Sequence, residues 1–118
     1  MNQLRKILIA TFLFGCVIFA LNGPQQKSAE LSAAQLKAGV PMEISCGQCQ
    51  LGMSGSGCDL AVRFGGRTYW VSGTGIDDHG DAHGDHGFCN AIRQGTVAGE
   101  IQGDRFVVDS LALQPAAK

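Results

Sequence analysis

Fifteen of the seventeen glycines fall between Gly39 and Gly103, and no glycine-free stretch in that interval is long enough for an extended helix. Glycine weakens helix interiors and suits tight turns and bulges, so this punctuation restricts the chain to short strands joined by turns. Alternating apolar residues mark the strands. Pro41 to Cys46 places Met42, Ile44 and Cys46 on one side and Glu43 and Ser45 on the other. Asp59 to Phe64 likewise turns Leu60, Val62 and Phe64 inward. Gly65-Gly66 is a two-residue hairpin signal, because both positions accept positive φ. Pairing Arg67 to Ser72 back across it sets Val62 opposite Tyr69, Leu60 opposite Val71 and Ala61 opposite Trp70. Trp70 then lies on the outer face, either covered by a helix or partly exposed.

A second hairpin turns at Gly103-Asp104. Thr96 to Gln102 leads in, Arg105 to Leu113 leads out, and Ile101 faces Phe106. Between the hairpins, Phe88 to Gln94 has helical spacing, with Phe88 and Ile92 four apart and Gly95 as a stop. The expected fold is therefore mainly β with one short helix: a small five-stranded OB-like barrel. A twisted open sheet carrying that helix is the alternative.

The 118 residues suit one domain. Arg5 and Lys6 precede an apolar run from Ile7 to Leu21, which Asn22, Gly23 and Pro24 interrupt. A cationic start, an apolar stretch too short to span a bilayer comfortably and a polar break describe a secretory signal. The expected organisation is a signal peptide at 1–20, a flexible linker at 21–39 and a small Cys/Gly-rich β-domain at 40–115. Leu31, Gln35 and Leu36 offer one short helical turn within the linker. Two cleavage modes compete: a cut after Ala20, or lipidation of Cys16, because Leu13-Phe14-Gly15-Cys16 resembles a bacterial lipoprotein box. Export places the domain in the periplasm or cell envelope, with membrane attachment only through the signal or a lipid on Cys16. Cleavage after Ala20 leaves seven Lys+Arg against ten Asp+Glu. Such an acidic chain has no basic face for nucleic acid and little affinity for an anionic membrane surface.

Of the five cysteines, Cys46, Cys49, Cys58 and Cys89 belong to the domain. Three chemistries are open to them. In an oxidising compartment an even set in a small domain reads first as structural disulfides, with three pairings available. The C-x2-C, x8, C, x30, C spacing also supplies four thiolates for a tetrahedral metal site. Cys46-Gly47-Gln48-Cys49 further invites a thiol–disulfide exchange reading. That last use wants a helix N-terminus beside the pair, and none is expected in the glycine run after Cys49.

Asp77-Asp78-His79-Gly80-Asp81-Ala82-His83-Gly84-Asp85-His86-Gly87 holds all three histidines and four of the ten acidic residues. Imidazole with supporting carboxylate suits Zn or Cu, which makes His79, His83, Asp78, Asp81, His86 and Asp77 candidate ligands. An EF-hand calcium loop is excluded, since Phe88 stands twelfth from Asp77 where a Glu is required. A solvated loop, with Asp77 and Asp78 forming turn hydrogen bonds after Gly75, is the plain alternative. No serine, lysine or phosphate-cradling motif accompanies the cluster, so an enzyme is the less favoured reading.

The blocks Cys46-Gly47-Gln48-Cys49-Gln50, Gly57-Cys58-Asp59-Leu60-Ala61-Val62-Arg63, Gly73-Thr74-Gly75-Ile76-Asp77-Asp78-His79-Gly80-Asp81-Ala82-His83 and Gly87-Phe88-Cys89-Asn90-Ala91-Ile92-Arg93 together resemble a family of small exported bacterial proteins known as a domain of unknown function. The resemblance runs from about Met42 to Leu113. It implies that the four cysteines, Asp77, Asp78, His79, Asp81 and His83 belong to the family pattern and that His86 is a local addition. It implies no particular activity. The leading expectation is thus an exported, non-enzymatic domain binding Zn or Cu through its His/Asp loop, with the cysteines as staples or co-ligands. Two alternatives stand beside it. One is a disulfide-stabilised module binding another envelope protein or a small ligand, through Trp70 and the barrel face. The other is a thiol–disulfide oxidoreductase using Cys46 and Cys49.

Overall fold

A computed structural model describes residues 31–116. The expected signal peptide and the lipidation candidate Cys16 lie outside these described residues. In chain order the elements are α1 (Ala33–Ala38), β1 (Val40–Cys46), α2 (Gly47–Gln50), β2 (Leu60–Phe64), β3 (Arg67–Ser72), β4 (Arg93–Gln102) and β5 (Arg105–Leu113). The strands form a closed barrel in the order β1-β2-β3-β5-β4. The small OB-like barrel expected from the strand pattern is the architecture found, and the open-sheet alternative is not. Among the described residues no helix is long and apolar enough to cross a membrane.

Closure depends on β1 serving two neighbours. Val40 to Ile44 pairs with Val97 to Arg93 of β4, while Glu43 to Cys46 pairs with Arg63 to Leu60 of β2. The remaining seam is the parallel pairing of β3 with β5, Trp70–Ser72 against Arg105–Val107. Both hairpins keep the expected register, with Val62 opposite Tyr69, Ala61 opposite Trp70 and Ile101 opposite Phe106. Gly65 and Gly66 take φ of 58° and 77°, the left-handed values that a two-residue turn between twisted strands demands.

Met42, Ile44, Leu60, Val62, Val71, Phe88, Val97 and Phe106 fill the interior. Phe64 stacks on Tyr69 at 5.2 Å and meets the Phe106 ring edge-on at 5.9 Å. Burying each large aliphatic or aromatic side chain contributes about 1.5–3 kcal/mol.

The turn suggested by Leu31, Gln35 and Leu36 is α1, and it packs against the barrel. A reciprocal capping box between Ser32 and Gln35 starts it, Leu36 enters the core, and Lys37 reaches Asp109 of β5 at 2.9 Å.

The helix expected over Phe88–Gln94 does not form. One turn closes as Asn90 and Ala91 donate their N–H groups to the Gly87 carbonyl, and the chain then straightens so that Arg93 opens β4. The reason lies in the carbonyls that a longer helix would need. The Phe88 carbonyl accepts the Cys46 N–H at 3.0 Å. The fully buried Ser45 hydroxyl lies 2.6 Å from that same oxygen and 2.7 Å from the Ala91 carbonyl. Phe88 still fills the core, whereas Ile92 is exposed.

Because Leu36 joins α1 to the core, Leu36→Ala should lower unfolding free energy in urea by about 2 kcal/mol or more. Lys37→Ala removes only an exposed ion pair and should leave the transition nearly in place.

Candidate metal centre

The four domain cysteines meet at one end of the barrel, each delivered by a different local device. Cys46 ends β1 and caps α2, its sulfur accepting the Cys49 N–H at 3.3 Å. Cys49 rides on that single helical turn. Cys58 ends the glycine-rich loop before β2, where the Gly47 N–H donates to the Asp59 carbonyl at 2.8 Å and extends the β1–β2 contact. Gln48 clamps the same residue twice: its amide nitrogen donates to the Asp59 carboxylate at 2.7 Å, and its amide oxygen accepts the Asp59 N–H at 3.0 Å. Cys89 sits in the turn tethered to the end of β1 by the Cys46–Phe88 hydrogen bond. Its carbonyl accepts from the Gln50 side chain at 2.9 Å.

The result is four sulfurs all within 4.8 Å of one another, with Cys49 and Cys58 3.8 Å apart. Zinc–thiolate bonds of about 2.3 Å in a regular tetrahedron put neighbouring sulfurs about 3.8 Å apart, whereas a disulfide requires about 2.05 Å. All four are free cysteines, so the structural disulfides expected for them are not formed here. A gathering of this kind could hold a metal ion.

The sulfurs differ in acidity and access. Burial opposes ionisation of Cys46, but hydrogen bonds from the Cys49 N–H, the Cys49 and Cys58 thiols and the Gln48 N–H pull its pKa below the ordinary thiol value. Cys49 is pushed up to about 12 by its thiol's hydrogen bonds to Cys46 and Cys58. Burial, followed by the Cys58 contact, pushes Cys89 up to about 11. The surroundings thus favour ionisation of Cys46 and oppose that of Cys49 and Cys89. Cys46 is buried, Cys89 half-buried, and Cys49 and Cys58 are exposed.

A helical turn does accompany the C-x-x-C pair, contrary to expectation. It starts at Gly47, inside the motif, because the Cys46 sulfur supplies the cap. Gly47 is also a packing requirement. A Cβ there would meet the Trp70 ring at 2.5 Å and the Met53 sulfur at 2.9 Å. Trp70 is therefore half-buried against this turn rather than under a helix between the hairpins.

The side chains of the His/Asp loop are held by local contacts. His79 Nε2 is 2.8 Å from the Thr74 hydroxyl, with its ring edge-on to Phe88. The Asp78 carboxylate accepts the Gly75 N–H at 2.7 Å, the turn contact considered as the plain alternative. Asp81 accepts the His83 N–H at 2.9 Å. Asp77, Asp81, His83 and His86 are exposed. Among the described residues these side chains form no group of three or more with converging ligand atoms; the four cysteines do. What the loop supports is Cys89. Its Ala82 carbonyl accepts the Cys89 N–H at 3.0 Å, and its His83 and Gly84 carbonyls both accept from the Asn90 amide at 2.9 Å. Gln48, Asn90 and Ser45 were not singled out as site residues from sequence, and nothing in their spacing marks them.

The fold and the site define a small closed β-barrel with a four-cysteine cluster at one end. The chain belongs to a family described as a family of unknown function (DUF6370), whose profile matches residues 40–114. That span covers all five strands, the four cysteines and the His/Asp loop. No curated protein and no solved structure matches the chain.

Since Gln48 fixes Cys58 through Asp59, Gln48→Ala should weaken metal binding by about 10- to 100-fold, the range seen when supporting contacts around ligands are removed. Competitive cobalt titration would measure it.

Proposed function

We propose that this chain is a non-enzymatic metal-holding domain that binds one zinc ion through Cys46, Cys49, Cys58 and Cys89. The convergence of the four sulfurs, at a spacing matching the edge of a zinc–thiolate tetrahedron, carries the reading. Four protein ligands close the shell and leave no position for water or substrate, as in structural rather than catalytic zinc sites. An all-sulfur tetrahedral set favours zinc or iron over the tetragonal nitrogen and oxygen sites typical of Cu(II). Use of Cys46 and Cys49 as an exchange pair is less well supported, because a redox nucleophile must be reachable and Cys46 is fully buried. Delivery of the domain to the periplasm or cell envelope belongs to the same proposal and rests on the apolar run after Arg5 and Lys6.

The test is metal content by mass spectrometry, together with cobalt absorption spectra, on the full chain carrying Cys16→Ser and purified under reductant. One zinc per chain, exchangeable for cobalt with thiolate charge-transfer bands, is expected. A fully reduced chain that retains no zinc, or one that retains iron instead, would overturn the assignment. Cys89→Ser should weaken zinc binding by about 100-fold or more, whereas the double variant His79→Ala, His83→Ala should bind zinc as the parent does. Ligation requires thiolates, and Cys49 and Cys89 are held protonated up to about pH 12 and 11. Binding near neutral pH should therefore release at least about two protons per ion, and affinity should rise at least about 100-fold per pH unit.

A further inference from the structure

The four sulfurs are not equivalent, and the asymmetry divides the cluster into two halves. Cys46 is fully buried at the end of β1, and Cys89 is tied by backbone and side-chain hydrogen bonds to Ala82 and Gln50. Cys49 and Cys58 are exposed, and their sulfurs lie 3.8 Å apart. The segment joining them, Gln50-Leu51-Gly52-Met53-Ser54-Gly55-Ser56-Gly57, has three glycines, and Ser54 to Gly57 is exposed and outside any strand or helix. Cys58 precedes β2 and Cys49 belongs to a single turn, so drawing these two sulfurs together requires no barrel strand to move. Cys46 has no such latitude, since its N–H is bonded to Phe88 and its sulfur caps α2.

From this geometry we propose that the site is a redox-gated metal store, in which a small-molecule disulfide of the glutathione class oxidises Cys49 and Cys58 to each other and releases the ion. This rests on the zinc reading above. One exposed thiolate attacks a sulfur of the oxidant, forming a mixed disulfide and expelling one thiolate. The second exposed cysteine then attacks the protein sulfur of that mixed disulfide and expels the other thiolate. The Cys49–Cys58 bond forms, the oxidant's S–S bond breaks, and its two sulfurs take the two electrons. Zn²⁺ departs because two ligands no longer hold it. Cys46 and Cys89 remain reduced, and a dithiol reductant reverses the process.

The experiment uses the full chain carrying Cys16→Ser, loaded with zinc and treated with glutathione disulfide. Zinc release is followed with a chromogenic chelator, and free thiols are counted in parallel. Cyanogen bromide cleaves after Met42 and Met53, separating Cys46 and Cys49 from Cys58 and Cys89, and trypsin after Arg63 then separates Cys58 from Cys89. Expected are one zinc released per chain, two of the four thiols lost, a cross-link between the Cys49 and Cys58 fragments, and renewed zinc binding after dithiothreitol. Fragmentation spectra should assign the bond to Cys49 rather than Cys46. A Cys46–Cys49, Cys46–Cys58 or Cys58–Cys89 bond, or zinc retained through oxidation, would overturn the gate while leaving the zinc site standing. A chain that never takes up zinc would defeat the underlying function. Mapping the disulfide formed when the metal-free chain is treated with glutathione disulfide would then still decide whether Cys49 and Cys58 are the reactive pair.

Discussion

The hydrogen bond from the Cys46 N–H to the Phe88 carbonyl joins residues distant in sequence, and much of the structure depends on it. With the Ser45 hydroxyl set between the Phe88 and Ala91 carbonyls, it takes the acceptors that would otherwise have continued a helix. The chain is thereby released into β4 early enough for Arg93 to pair with Ile44, which helps close the barrel. The same contact brings Cys89 alongside the end of β1. Among the described residues Ser45 is the buried polar one, and burying a hydroxyl costs stability unless it is hydrogen-bonded. Its two carbonyl neighbours meet that requirement and are also the ones that shape the site.

The cysteine end of the barrel is built largely from backbone groups. Cys46 is fixed by strand pairing, Cys49 by one turn, Cys58 by the Gln48–Asp59 clamp and Cys89 by the carbonyls of the His/Asp loop. Sulfurs arranged in advance would cost less ordering entropy on holding an ion. Gln48 and Asn90 serve this end by holding Asp59 and the His83 and Gly84 carbonyls, beside the sulfurs rather than among them.

The strands and hairpins were legible because their causes are local. Alternation in Met42, Ile44 and Cys46 states which face is buried, and Gly65-Gly66 and Gly103-Asp104 state where the chain reverses. The missing helix was not legible, since Phe88 and Ile92 have helical spacing but the decisive acceptors are claimed by β1 from far along the chain. Nor was the turn at Gly47, where a sulfur replaces the usual oxygen cap. At the site, the four cysteines were visible as four thiols, but their convergence depends on barrel closure. The histidine density was equally visible. Sequence could not reveal that His79 would turn to Thr74, or that the loop would offer its carbonyls to Cys89 and Asn90.

The order of the ligands along the chain has a topological consequence. An ion held by all four sulfurs would act as a cross-link closing consecutive loops, the longest running from Cys58 to Cys89 and enclosing β2, β3 and the His/Asp loop. Closing loops restricts the unfolded chain, as a disulfide does. The β4–β5 hairpin lies beyond the last ligand and outside every such loop. Its entropy on unfolding is therefore untouched by the cross-link, and its hold on the barrel rests on the seams with β1 and β3. A metal bound at one end would thus divide the domain into a tethered half and a half secured by strand pairing and packing.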